Sequence, residues 1–90
     1  MTEEEALNFI TQTRGWSLQD KGHHIFRRFE FGDFVTAMAF VNKVGAVSEE
    51  EGHHPDIHFG WGYAEIIIFS HEIDGLHEND FILAAKINQI

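Results

Sequence analysis

The stretch from Asp56 to Ser70, DIHFGWGYAEIIIFS, limits the fold more than any other part of the chain. Ile57 and Phe59 alternate with polar residues, Gly60-Trp61-Gly62 permits a tight reversal, and a continuous apolar run from Ile66 to Phe69 follows. This pattern describes a hairpin whose second strand is interior to a sheet, covered on one face by helices and on the other by a neighbouring subunit. With the reversal centred between Trp61 and Gly62, residues equidistant from that step face each other. His53 then lies opposite Ser70, His54 opposite Phe69, and His71 one step beyond Ser70. Three imidazoles gather at one end of the strand pair, and a slip of one residue would scatter them.

The segment before the hairpin, EEEGHHPDIH, holds the only proline. Pro55 fixes its own φ and pushes His54 into extended backbone, which takes the histidine out of any continuing helix and lowers the entropy cost of ordering it. Glu49 stands one helical turn before His53. Asp80, in the first turn of a final helix, can fold back to the same place because the loop from Glu72 to Asn79 is short. Plainer readings stand beside these. Asp80 can simply complement a helix dipole, and Glu49, Glu50 and Glu51 can be a solvated helix end, although acids near a C-terminus are ill placed. His23-His24 reads as solvated surface, His58 and His77 as solvent-facing, and Trp61 and Phe59 as core or interface.

The remaining elements follow from caps and periodicity. Thr2, with Glu5 three residues on, marks a helix start with Leu7 and Ile10 facing inward, and Gly15 breaks it. WSLQ alternates like a short strand and DKGH reads as a turn. From Ile25 a second strand places Ile25, Arg27, Phe29 and Phe31 on one face and His24, Phe26, Arg28 and Glu30 on the other. Asp33 caps a long helix with Phe34, Met38, Val41, Val44 and Val47 as its apolar stripe and Gly52 as its stop. A last helix begins near Glu78 and buries Phe81, Ala84 and Ala85, with Leu83, Ile87 and Ile90 adjoining. The order α-β-β-α-β-β-α predicts an α+β fold, a four-stranded antiparallel sheet with three helices on one face, as a single domain over residues 1–90.

Ninety residues that are 43% hydrophobic, with nine Phe, make a small core that gains from self-association, so a homodimer or homotetramer is expected. A net charge of −9 without a basic stripe argues against direct nucleic-acid binding. The absence of cysteine excludes a disulfide scaffold and thiolate chemistry and is compatible with a cytoplasmic setting. No signal peptide and no membrane-spanning segment are read in the chain.

The spacing of the cluster resembles that of the pterin-4a-carbinolamine dehydratase family. Glu49, three residues, His53-His54-Pro55, five residues, Trp61, nine residues, His71, eight residues and Asp80 satisfy every interval of its signature. GWSL, Arg27-x-Phe29-x-Phe31 and HEIDGLHENDFILAAKI are also similar to family segments, so the likeness covers essentially the whole chain. It departs at His77, where the family often has Ser or Thr, and in the glycine-rich tip GWGY.

The resemblance implies a hydro-lyase that removes water from 4a-hydroxytetrahydropterin, giving quinonoid dihydropterin in tetrahydrobiopterin recycling, without cofactor or metal. His53 and His71 would transfer protons, His54 would bind the ring, and Asp80 and Glu49 would orient imidazoles. Contacts to the pterin substrate would come from Glu49, His53, His54, Pro55, Ser70, His71, Glu72 and Ile73. Two other classes stay open. Three histidines and a carboxylate could ligate zinc or iron, against which neighbouring residues on extended backbone point to opposite sides. A protein-interaction module is the second, since vertebrate members serve as dimerisation cofactors of a homeodomain transcription factor through a helical surface.

Overall fold

The computed structural model describes residues Met1–Ile90. The elements are α1 (Glu3–Ile10), β1 (Ser17–Gln19), a single 3-10 turn (Asp20–Gly22), β2 (His24–Glu30), α2 (Phe34–Glu51), β3 (Asp56–Gly60), β4 (Tyr63–Ile68) and α3 (Glu78–Ile87). This is the α-β-β-α-β-β-α order read from the sequence. The four strands form one antiparallel sheet in the order β1-β2-β4-β3, with β4 interior. The hairpin register pairs Gly60 with Tyr63 and Asp56 with Ile67, centred between Trp61 and Gly62 as the turn residues require.

Alternate residues of β4 explain the layering. Ala64, Ile66 and Ile68 are fully buried on the helix side, whereas Glu65 and Ile67 are half-buried on the open face. Ile25 of β2 joins them, and α3 closes the layer with Phe81, Leu83, Ala84 and Ile87. Truncating one of the buried isoleucines to alanine would cost about 2–5 kcal/mol, since a packed interior cannot fully collapse into the void.

Both capping expectations hold. Thr2 accepts from the Glu5 amide while Glu5 accepts from the Thr2 amide, and Asp33 accepts from the Thr36 amide. Gly15, at φ 86, lies where an added Cβ would sit 2.5 Å from the Arg27 guanidinium. That guanidinium and Trp16 Nε1 both donate to Asn88 Oδ1, at 2.6 and 2.8 Å, and the guanidinium also donates to the Arg14 carbonyl at 3.1 Å.

Several helix faces differ from the periodic reading. In α1 the residue that turns inward is Ala6, and Leu7 is half exposed, because an eight-residue helix across a sheet edge buries only its narrowest line. In α2 the buried residues are Ala37, Val44 and Ser48, with Phe40 and Val47 packed beside them. Phe34 and Met38 are exposed to 42% and 45% and form, with Val35, an outer apolar stripe. A helix with apolar residues on two sides gives no unique inward face from period alone. Ala85 of α3 and Ile90 beyond its end are exposed, and Trp61, at the hairpin tip, is 71% exposed and not a core residue. His23 and His24 are half-buried, contrary to the solvated reading, because Phe69 covers them.

Candidate active site

Three chain segments end at one place. The first is the C-terminus of α2, where Gly52 takes the left-handed conformation at φ 65 and lets the His53 amide reach back to the Ser48 carbonyl and the Gly52 amide to Glu49. That closure stops the helix and swings His53 and His54 away from its axis. The second is the end of β4, where Ser70 pairs with Gly75 through two backbone hydrogen bonds and closes the turn carrying His71, Glu72, Ile73 and Asp74. The third is the start of α3, capped by His77, whose Nδ1 accepts from the Asn79 amide.

Asp80 joins the three. Its side chain is fully buried and accepts from Nε2–H of His53, from the Ser70 hydroxyl at 2.9 Å and from the His77 amide at 2.7 Å. A buried carboxylate is tolerated only when its lone pairs are taken up in this way. Because an ionised carboxylate can only accept, the His53 proton sits on Nε2, and Nδ1 is the nitrogen available to a ligand. His54 turns the other way, to Glu49 at 2.8 Å, in a pair that is 65% and 80% exposed. Lys86 of α3 binds Glu51 at 2.6 Å and ties the two helices together beside the site.

Above Asp80 lies a cavity of about 540 Å³ lined by Glu51, Gly52, His53, His54, Ser70, His71, Glu72, Ile73, His77, Asn79 and Ile82. Of the residues singled out in the sequence, His53, His54, Ser70, His71, Glu72 and Ile73 reach this wall. Asp80 lies beneath it, and Glu49 and Pro55 do not line it. Glu49 acts on His54 from outside, and Pro55 precedes β3 as a backbone constraint. His53 and Ser70 do not continue the hairpin ladder, which stops at Asp56 and Ile67; they meet through Asp80. His71 packs its ring on Phe69 with centroids 4.2 Å apart.

The sequence reading missed Glu51, Gly52, His77, Asn79 and Ile82 as wall residues. His77 carried a signal: it stands three residues before Asp80, the spacing of a capping box. Ile82 carried none, because an exposed isoleucine one residue before buried Leu83 breaks the inward face of α3.

The sequence profile of the family described as pterin 4 alpha carbinolamine dehydratase matches residues 1–90. The chain belongs to this family. A relative from Halorhodospira halophila, whose name provisionally makes it a pterin-4-alpha-carbinolamine dehydratase, is 50% identical over 90 residues, covering 100% of this chain and 83% of its own. One from Aromatoleum aromaticum, named the same way, is 54% identical over 86 residues, covering 96% and 77%. Among solved structures, a transcriptional coactivator/pterin dehydratase from Brucella melitensis superposes with a TM-score of 0.91 at 29% identity, covering 99% of this chain and 95% of that one. A pterin dehydratase-like protein identified as a RuBisCO assembly factor in the alpha-carboxysome gives a TM-score of 0.72 at 32% identity, covering 84% and 88%. These two solved structures are thus described by a pterin dehydratase likeness together with coactivator or assembly-factor roles.

Proposed function

We propose that this member of the family dehydrates 4a-hydroxytetrahydropterin, with His53 and His71 as the proton-transfer residues. The observation that carries the reading is that imidazoles from two distant segments line one cavity, with one of them anchored by a buried carboxylate. The cavity volume is in the range of small-molecule sites, about 300–1,000 Å³, and only two of its eleven lining residues are hydrophobic, so the wall offers hydrogen-bonding partners to a heteroaromatic ring rich in nitrogen.

The chemistry needs a proton delivered to the 4a oxygen and another taken from N5. Protonated His71 gives its proton to the hydroxyl, the C4a–O bond breaks, and water leaves. The N5–H electrons form the C4a=N5 bond, and the released proton passes to Nδ1 of His53. Asp80 then faces an imidazolium through Nε2–H and stabilises it, as a buried carboxylate does in other histidine sites. One proton is spent and one gained, so exchange with solvent resets the site. His54 and the turn from Ser70 through Glu72 to Ile73 would hold the ring. The test is stopped-flow decay of 4a-hydroxytetrahydropterin. The protein should accelerate it, and His71→Ala should lower that acceleration by about 10²- to 10⁴-fold. Equal decay with and without protein would reject the reading.

A second role in protein association is favoured by a specific surface. Phe34, Val35 and Met38 on α2 and Phe59 and Trp61 on the hairpin are all exposed, with Phe34 and Phe59 stacked at 5.7 Å. Exposed apolar surface of this kind marks association surfaces, and a homodimer or homotetramer, or a protein partner, would cover it. Light scattering of Met38→Glu against the unaltered chain checks this: an unchanged mass would count against an α2 interface.

A further inference from the structure

Asp20, His23 and His24 hold the one place in the chain where donor atoms of three such side chains lie within 4.8 Å of one another; no three donors around the cavity do so. Nδ1 of His23 and Nδ1 of His24 are 3.0 Å apart. Two donors each about 2.1 Å from a common ion stand about 3.0 Å apart at a right angle and about 3.4 Å apart at a tetrahedral one. Adjacent histidines on extended backbone could not do this. Here His23 is in the helical conformation, φ −71 and ψ −41, before β2 begins at His24, and the two rings turn to the same side.

The surroundings are built around the pair. His23 Nε2 bonds Asp74 Oδ1 at 2.8 Å. The carboxylate accepts, so the proton is on Nε2 and the Nδ1 lone pair is free, the carboxylate–histidine arrangement that orients metal-bound imidazoles. In the ion-free pair His24 donates Nδ1–H to that lone pair; the alternative neutral tautomer, Nε2–H, presents both lone pairs to an ion. Asp20, Lys21 and Asp74 are the chain's three non-glycine residues with left-handed backbone, at φ 50, 53 and 50. All three lie at this cluster, and strain of this type collects where a site over-determines the backbone. The net charge of −9 favours a cation.

We propose that Asp20, His23 and His24 form a binding site for a divalent transition ion of right-angled geometry, Ni2+ or Cu2+ in type, with Asp74 as the positioning residue. Two imidazole nitrogens at right-angle spacing with a carboxylate beside them suit these ions better than Mg2+ or Ca2+, which take oxygen donors.

The probe is Ni2+ alone, titrated calorimetrically into chelator-stripped full-length chain carrying no polyhistidine tag. One ion should bind per chain. His24→Gln should lower the affinity by at least about tenfold, and Asp74→Asn by about 10- to 100-fold, because the outer carboxylate fixes the ring. His71→Gln should leave binding unchanged. Absence of stoichiometric binding, or equal affinity in His24→Gln, would overturn the assignment. A readout that needs no variant uses Co2+ and imidazole NMR on the unaltered chain: His23 and His24 should broaden first, and broadening that begins at His53 or His71 would equally overturn it.

Discussion

The chain holds two adjacent histidine pairs that differ in almost every physical respect. His53 and His54 follow a helix stop and precede a proline, and their rings part, one to buried Asp80 and the other to exposed Glu49. His23 and His24 straddle a helical-to-extended junction, and their rings meet nitrogen to nitrogen. His23 is helical, at φ −71 and ψ −41, whereas His53 follows the left-handed stop at Gly52. Divergent rings reach the cavity wall as two separate groups with different carboxylate partners, whereas convergent rings bring two nitrogens to within 3.0 Å.

The sharpest way to break this contrast is catalytic. His53→Gln, which keeps a polar side chain but cannot relay a proton, is expected to reduce dehydration by about 10²- to 10⁴-fold, and His24→Gln to leave it unchanged. Equal losses would mean the two pairs are not functionally separate. Next in size is Asp80→Ala. It leaves the His53 ring, the Ser70 hydroxyl and the His77 amide without their acceptor, and urea denaturation should show a loss of about 1–3 kcal/mol. Glu49→Gln should do far less. Its partner is 65% exposed, and an exposed pair contributes little, so an unfolding midpoint matching that of the unaltered chain is expected.

The smallest effect lies away from both pairs. The Glu5 carboxylate is held below its ordinary 4.5, chiefly by the Thr2 amide, and Asp33 below its ordinary 3.8, chiefly by its hydrogen bond to the Thr36 side chain and then to the amide. A carboxylate with a depressed folded pKa contributes stability that is present above its unfolded value and lost as pH falls through the folded one. The α1 and α2 caps should therefore persist at neutral pH and weaken below those ordinary values. Carbon-detected titration of the two carboxylates, with midpoints at or above 4.5 and 3.8, would contradict this.

What could be read from the sequence follows from how local each determinant is. The hairpin register needed only Gly60-Trp61-Gly62 and the alternation beside it, and Asp33 and Thr2 announced their helices by type and spacing. The proximity of Asp80 to His53 was readable because the loop from Glu72 to Asn79 is short and returns α3 to the end of β4. The inward face of α2 was not, since Phe34 and Met38 are as apolar as Val44 and only packing against β3 and β4 separates them. Nor was the pairing of His23 with Asp74, 51 residues apart, where Asp74 is left-handed and His23 follows the left-handed residues Asp20 and Lys21. Leu7 failed for a related reason: Ala6 fits the shallow contact of α1 with the sheet edge, and a larger side chain does not.

Convergence on one ligand is the centre of the account, and imidazole NMR during titration with an unreactive reduced pterin tests it without any variant. The rings of His53, His54 and His71 should shift together along a single saturating curve while His23 and His24 stay still. Movement confined to His23 and His24, or three rings that follow different curves, would contradict it.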